Sequence, residues 1–147
     1  MSAERILVVD DDRRLLRVLE FYLAMQRWEM VNAVDCGAAL HLLESGDFGL
    51  VILDVMMPGC DGFEVCRQIR ANSRTRSLPI VLLTTASTPD HVEAARQAGA
   101  HLLIKPFSFA ELDKVIRGIF GHQLAGANED VLRTVHADAR QCLAHWA

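Results

Sequence analysis

At 147 residues, 51% of them hydrophobic and 23% charged, the chain has room for one domain and a short appendage, not for two full cores. Fifteen Lys and Arg against 19 Asp and Glu leave a formal net charge of −4, which argues against a nucleic-acid-binding surface over the whole molecule. The opening MSAERILVVDDD reaches charges before any long apolar stretch, and later apolar runs are broken by Asp or Pro well short of membrane length, so neither a signal peptide nor a membrane span is expected and the expected compartment is the cytoplasm. Cys36, Cys60, Cys66 and Cys142 form no CxxC pair and no ligand spacing with His, and read as reduced cytosolic thiols.

Short aliphatic runs alternate with stretches of helical period. Strands are expected at Ile6–Val9, Glu29–Val34, Leu50–Leu53, Ile80–Leu83 and Leu102–Ile104. Amphipathic helices are expected between and after them, at Arg13–Met25, Gly37–Glu44, Gly62–Ala71, Pro89–Ala98 and Phe109–Phe120. Five strands, each followed by a helix, imply an α/β fold with a parallel sheet and helices on both faces. Several of the runs are apolar at every position, as strands buried on both faces are. The aliphatic residues around Ala94 and Ala98 read as core rather than as a cofactor surface. After Phe120 the pattern changes: residues 122–147 read as a flexible linker and one further amphipathic helix. Within it, Asn128 is a good N-cap, and Val131, Leu132, Val135, Ala139, Cys142, Leu143 and Trp146 form one apolar stripe. The stripe would pack on its own domain or make a dimer or partner contact.

The polar residues fall at strand ends. The first strand stops at Asp10-Asp11-Asp12, the third at Asp54, the fourth at Thr84-Thr85 and the fifth at Lys105. In a parallel sheet these are carboxyl ends on one edge, where ligands of open α/β sheets bind. If the first and third strands are neighbours, Asp10, Asp11 and Asp54 share a crevice and repel. At about 4 Å and an effective dielectric near 20, each pair costs roughly 4 kcal/mol. Either one carboxyl takes up a proton or a divalent cation neutralises the set. No His or Cys lies in these motifs, so hard oxygen ligands suit Mg²⁺ better than zinc. A carboxylate, a hydroxyl, an ammonium and a metal are the parts that phosphoryl transfer to a carboxylate nucleophile needs. The blander alternative is that a strand-end Asp before a helix is only an N-cap, as Asp12 and Asp61 read here.

The segments ILVVDDD, LVILDVMMPGCDG, PIVLLTT and AGAHLLIKPF, in that order over residues 4 to 120, resemble the receiver domains of bacterial response regulators. The resemblance implies the flavodoxin-like strand order 2-1-3-4-5, a receiver at residues 1–121, and a tail for which the family gives no guidance. It implies that Asp54 accepts a phosphoryl group from a sensor histidine kinase or a phosphotransfer protein. Asp11 would ligate Mg²⁺ directly, Asp10 mainly through water, and Met56 through its carbonyl, with Asp54 completing the set. Thr84 and Lys105 would contact phosphoryl oxygens, and a cis peptide would precede Pro106. Such a chain is a signalling domain rather than an enzyme acting on other molecules; it would switch a surface read by an output protein or domain, with no direct nucleic-acid contact.

The chain departs from the common pattern at Leu102, where many receivers carry an aromatic residue, and at Thr85, usually smaller. The stretch from Ala100 to Lys105 is one residue short of a common spacing. Two rivals are a metal-dependent phosphatase and a binding module that shares only the fold. A phosphatase of the haloacid dehalogenase type needs a second Asp two residues after the nucleophile, where Met56 stands. A dinucleotide-binding reading fails because no GxGxxG follows the first strand.

Overall fold

The computed structural model describes residues 4–86 and 88–121. In chain order they form β1 (Arg5–Val9), α1 (Arg13–Met25), β2 (Glu29–Ala33), α2 (Cys36–Ser45), β3 (Leu50–Asp54), β4 (Met56–Met57), β5 (Cys60–Asp61), α3 (Gly62–Ala71), β6 (Ile80–Thr84), α4 (Pro89–Gln97), β7 (His101–Ile104) and α5 (Phe109–Phe120). The expected tail helix from Asn128 to Trp146, with Cys142, lies outside the described residues.

The five long strands make one parallel sheet in the order β2-β1-β3-β6-β7. Counted over those five alone, this is the expected 2-1-3-4-5. Alternate residues feed two cores. Ile6, Val8, Leu50, Ile52, Val81 and Leu83 pack against Leu15, Leu19 and Leu23 of α1 and Phe109, Leu112 and Ile116 of α5. Leu7, Val9, Val51, Leu53, Ile80 and Leu82 face Leu43 of α2, Val65 and Ile69 of α3 and Ala95 of α4. Both faces of β1, β3 and β6 are therefore dry, which is why their sequences are apolar without alternation. Each such side chain contributes about 1.5–3 kcal/mol through burial. The edge strands β2 and β7 keep exposed positions. In α4 the fully buried alanine is Ala95, while Ala94 and Ala98 are half-buried and line a shallow cavity with Phe63, Arg67 and Arg70.

Among the described residues every helix begins with a side-chain cap. Asp12, Asp35, Asp61, Thr88 and Ser108 each accept a hydrogen bond from a first-turn amide. The capping reading of Asp12 and Asp61 therefore holds. Asp10, Asp11 and Asp54 are not among the caps, so that alternative does not account for them.

Two features go beyond the elements expected from sequence. Pro58 and Gly59 are the turn of a short hairpin in which Met56 pairs with Asp61 and Met57 with Cys60. Gly59 takes φ 69°, a conformation that glycine adopts without steric cost. Secondly, Cys36 and Cys60 are joined as a disulfide, with Cα atoms 5.9 Å apart, so these two are not the separate thiols expected; Cys66 is a buried free thiol. Their separation of 24 residues carries no local motif. They meet because the connections after β2 and β3 leave the same edge of the sheet. The peptide between Lys105 and Pro106 is cis, as expected.

Candidate functional site

Where β1 ends, its backbone stays in the ladder for one more residue: the Asp10 amide donates to the Ala33 carbonyl at 3.1 Å. That bond fixes a carboxylate with no exposure to solvent. Asp10 Oδ1 accepts from the Asp12 amide at 2.9 Å, and Oδ2 accepts from Lys105 Nζ at 2.8 Å. Burial pushes the Asp10 carboxyl up to about 6; Lys105 and the Asp12 amide work against that, and the nearby charge of Asp54 adds to it.

Asp54 is the last residue of β3, which sits beside β1 with Val9 opposite Leu53. Its Oδ1 accepts from the Met56 amide at 3.1 Å and its Oδ2 from Lys105 Nζ at 3.2 Å. Lys105 follows β7, its amide donating to the Thr84 carbonyl at 2.7 Å. Burial disfavours the Lys105 ammonium, but the hydrogen bond and charge of Asp10, helped by Asp54, outweigh it and raise its pKa. Asp11 lies at the exposed rim of the same cluster. One carboxylate oxygen each from Asp10, Asp11 and Asp54 lies within 4.8 Å of the others.

Three carboxylates against one ammonium leave a deficit of two positive charges. The donors are all oxygen, as a hard dication requires, and Asp10 and Asp54 are both buried, where water does little to offset their charge. The residues present therefore fit Mg²⁺. Among the described residues, four of the five buried polar or charged side chains (Asp10, Asp54, Thr84, Lys105) are at this edge.

The other expected residues are placed less directly. Thr84 ends β6 and is buried, but its hydroxyl is turned to its own loop, donating to the Ala86 carbonyl at 2.9 Å and accepting from the Ala86 amide at 3.1 Å. Met56 touches Asp54 through its backbone amide, while its side chain projects into solvent.

One residue was undervalued from sequence. Gly62 is the first residue of the helix expected over Gly62–Ala71, yet a Cβ there would stand 2.6 Å from the Asp54 carbonyl oxygen and 2.8 Å from Val55 Cα. Its amide donates to the Val55 carbonyl at 2.9 Å, so α3 begins directly against the backbone that carries Asp54. The available signal was a glycine, a poor helix former, at the first helical position.

The sequence matches the response regulator receiver domain family over residues 6–117. It is similar to the response regulator protein FleR of Pseudomonas aeruginosa, at 41% identity over 143 residues, 96% of this chain and 30% of that protein. It is also similar to the response regulator PleD of Caulobacter vibrioides, at 35% identity over 142 residues, again 96% of this chain and 30% of that protein. The chain spans about half the length, or less, of the curated relatives it matches. Among solved structures, the response regulator TrrA of Thermotoga maritima, determined in complex with Mg²⁺ and BeF, superposes with a TM-score of 0.70 at 34% identity, covering 79% of this chain and 98% of that one. A match over most of the described sheet, on a fold whose acidic crevice lies where β1 and β3 end, establishes that the chain belongs to the response regulator receiver domain family.

Proposed function

We propose that Asp54 is the phosphoacceptor of this receiver and that Asp10, Asp11, Asp54 and the Met56 carbonyl hold Mg²⁺ beside it. The observation that carries the reading is the Lys105 ammonium shared between Asp10 and Asp54 inside a cluster with two more negative than positive charges. When bound, Mg²⁺ supplies the positive charge that lets a phosphoryl group approach a carboxylate. The chain's own residues do the rest. β3 and the Met56 amide fix the Asp54 carboxylate in one orientation. Its free lone pair attacks the phosphorus of a phosphohistidine donor, an O–P bond forms and the P–N bond breaks. Lys105 exchanges Asp54 Oδ2 for a phosphoryl oxygen without leaving Asp10. Thr84 reaches the phosphoryl group by giving up its bonds to Ala86, and that exchange moves the loop after β6.

The donor is a sensor histidine kinase or a phosphotransfer protein. The only chemistry is self-directed: uptake of the phosphoryl group and its later hydrolysis. The loop movement alters the surface of β7 and its flanking helices, where Leu102 is half-buried and Ile104 exposed, and an output protein or domain, or a second copy, reads it. No direct nucleic-acid contact and no membrane contact is part of this reading, and among the described residues no helix is long and apolar enough to cross a membrane. The proposed compartment is the cytoplasm. We assign residues 1–121 to the receiver and 122–147 to a linker and C-terminal helix; the FleR match, at 143 residues, runs into that tail.

The test is to offer acetyl phosphate with Mg²⁺ and map the mass gain. One phosphoryl group on the peptide carrying Asp54, absent from a folded Asp54→Asn variant, is expected; undiminished labelling of that variant overturns the assignment.

A further inference from the structure

The cysteine pair has no part in the site's chemistry, yet its position ties it to the site. Cys36 opens α2 directly after the Asp35 cap, and Cys60 lies in the hairpin that begins two residues after Asp54. Within that hairpin Cys60 pairs with Met57, and Met56 pairs with Asp61 while donating its amide to Asp54. The 5.9 Å Cα separation falls in the range of about 4.4–6.8 Å that a disulfide bridges without moving the backbone. Both cysteines are partly exposed, whereas Cys66 is fully buried in the core. Both cysteines pack at the margin of the second core, whose buried interior is built of large aliphatic side chains. A disulfide in a reducing compartment is usually transient or redox-sensing rather than structural.

We propose that Cys36 and Cys60 are a reversible oxidative modification site, a thiol–disulfide pair whose closed form clamps the loop after Asp54 to the start of α2. The co-reactant is a low-molecular-weight disulfide. One protein thiolate attacks a sulfur of that molecule; its S–S bond breaks, a mixed disulfide forms and one small thiol leaves. The second cysteine attacks the protein sulfur of the mixed disulfide, forming the Cys36–Cys60 bond and expelling the second small thiol. The two cysteines are oxidised, the small disulfide is reduced, and the two protein thiol protons pass to the released thiolates. The clamp restricts the hairpin in which Met56 stands, so the closed form meets Mg²⁺ with its backbone donor already ordered. This regulatory consequence rests on the Asp54 reading; the cross-link itself does not.

The full chain, fully reduced, is exposed to oxidised glutathione, its remaining thiols are alkylated, and the digest is mapped by mass spectrometry. Linked Cys36 and Cys60 peptides, a loss of two hydrogen atoms, reversal by dithiothreitol, and no such link in Cys36→Ser or Cys60→Ser are expected. Mg²⁺ titrations followed by the Met56 amide resonance should show the oxidised chain binding about threefold more tightly than the reduced chain, with the difference gone in either serine variant. Alkylation of both cysteines after the oxidant, or a linked chain with unchanged Mg²⁺ affinity, overturns the proposal. A reduced chain that takes up no phosphoryl group contradicts the function proposed above and leaves the mapping of the cross-link standing.

Discussion

Two buried carboxylates, each held by a basic side chain, sit in different parts of this molecule and are built for different ends. Asp113 of α5 lies against α1. It accepts from the Tyr22 hydroxyl on one oxygen and from Arg117 Nε at 2.6 Å on the other, and Arg117 also donates to Gln26 at 2.9 Å. One acid meets one base, and both carboxylate oxygens are satisfied by the protein. Tyr22 stacks on Phe109 at 4.5 Å between ring centroids, which locks the cluster into the core. At the sheet edge, Asp10 and Asp54 share the ammonium of Lys105, and Asp11 adds a third carboxylate beside them. The first cluster is complete in the folded chain and holds two helices together. The second keeps an excess of negative charge that a bound cation would relieve, which is the mark of a site rather than of a strut.

The comparison can be broken most severely at Lys105. Lys105→Ala should slow phosphoryl uptake from acetyl phosphate by about a hundredfold, as loss of one charged group at the reacting centre does elsewhere. An uptake rate equal to wild type would remove Lys105 from the chemistry. Asp113→Ala should do the opposite: it leaves Arg117 without its buried partner and should cost about 3 kcal/mol in urea unfolding, with the uptake rate of the folded fraction unchanged. A variant that is as stable as wild type, or that loses uptake in proportion to Lys105→Ala, would show that the two clusters are not separate.

A smaller effect is expected at high pH. Burial pushes the Cys66 thiol from 9.0 to about 11, and burial, with the hydrogen bond to Asp113, also raises the Tyr22 hydroxyl above 10.0. In the unfolded chain these groups lose their protons first, so each contributes stability that is fully present below its unfolded value and lost as pH rises through its folded one. Stability should fall from about pH 9 through Cys66, then further above pH 10 through Tyr22. Cys66→Ala should flatten the first part and Tyr22→Phe the second. Denaturation midpoints that do not change over this range would contradict the burial argument for both.

Much of this was legible because the signals were local. The unbroken apolar runs of β1, β3 and β6 announced strands covered on both faces, and the polar residues ending them announced the crevice, since a parallel sheet collects its carboxyl ends on one edge. What escaped depended on contacts distant in sequence. Tyr22 and Asp113 are 91 residues apart, and Lys105 and Asp10 are 95 apart. Lys105 was assigned to the phosphoryl group, whereas in this structure it also ties the two acids together. Cys36 and Cys60 looked unrelated because nothing in their spacing encodes the meeting of two loops. The role of Gly62 beyond opening a helix is not legible because a close backbone approach leaves no pattern in a single sequence.

The unbalanced charge at the sheet edge is tested most directly by thermal unfolding of the full chain with and without Mg²⁺. A cation that binds only the folded state raises Tm. Wild type should therefore shift upward with Mg²⁺. Asp11→Asn should start from a slightly higher Tm without Mg²⁺, because one like charge is gone, and should lose most of the shift. Asp113→Asn should start lower and keep the shift in full. A wild-type Tm indifferent to Mg²⁺, or an Asp11→Asn variant that shifts as far as wild type, would contradict the assignment of this cluster as a metal-dependent site.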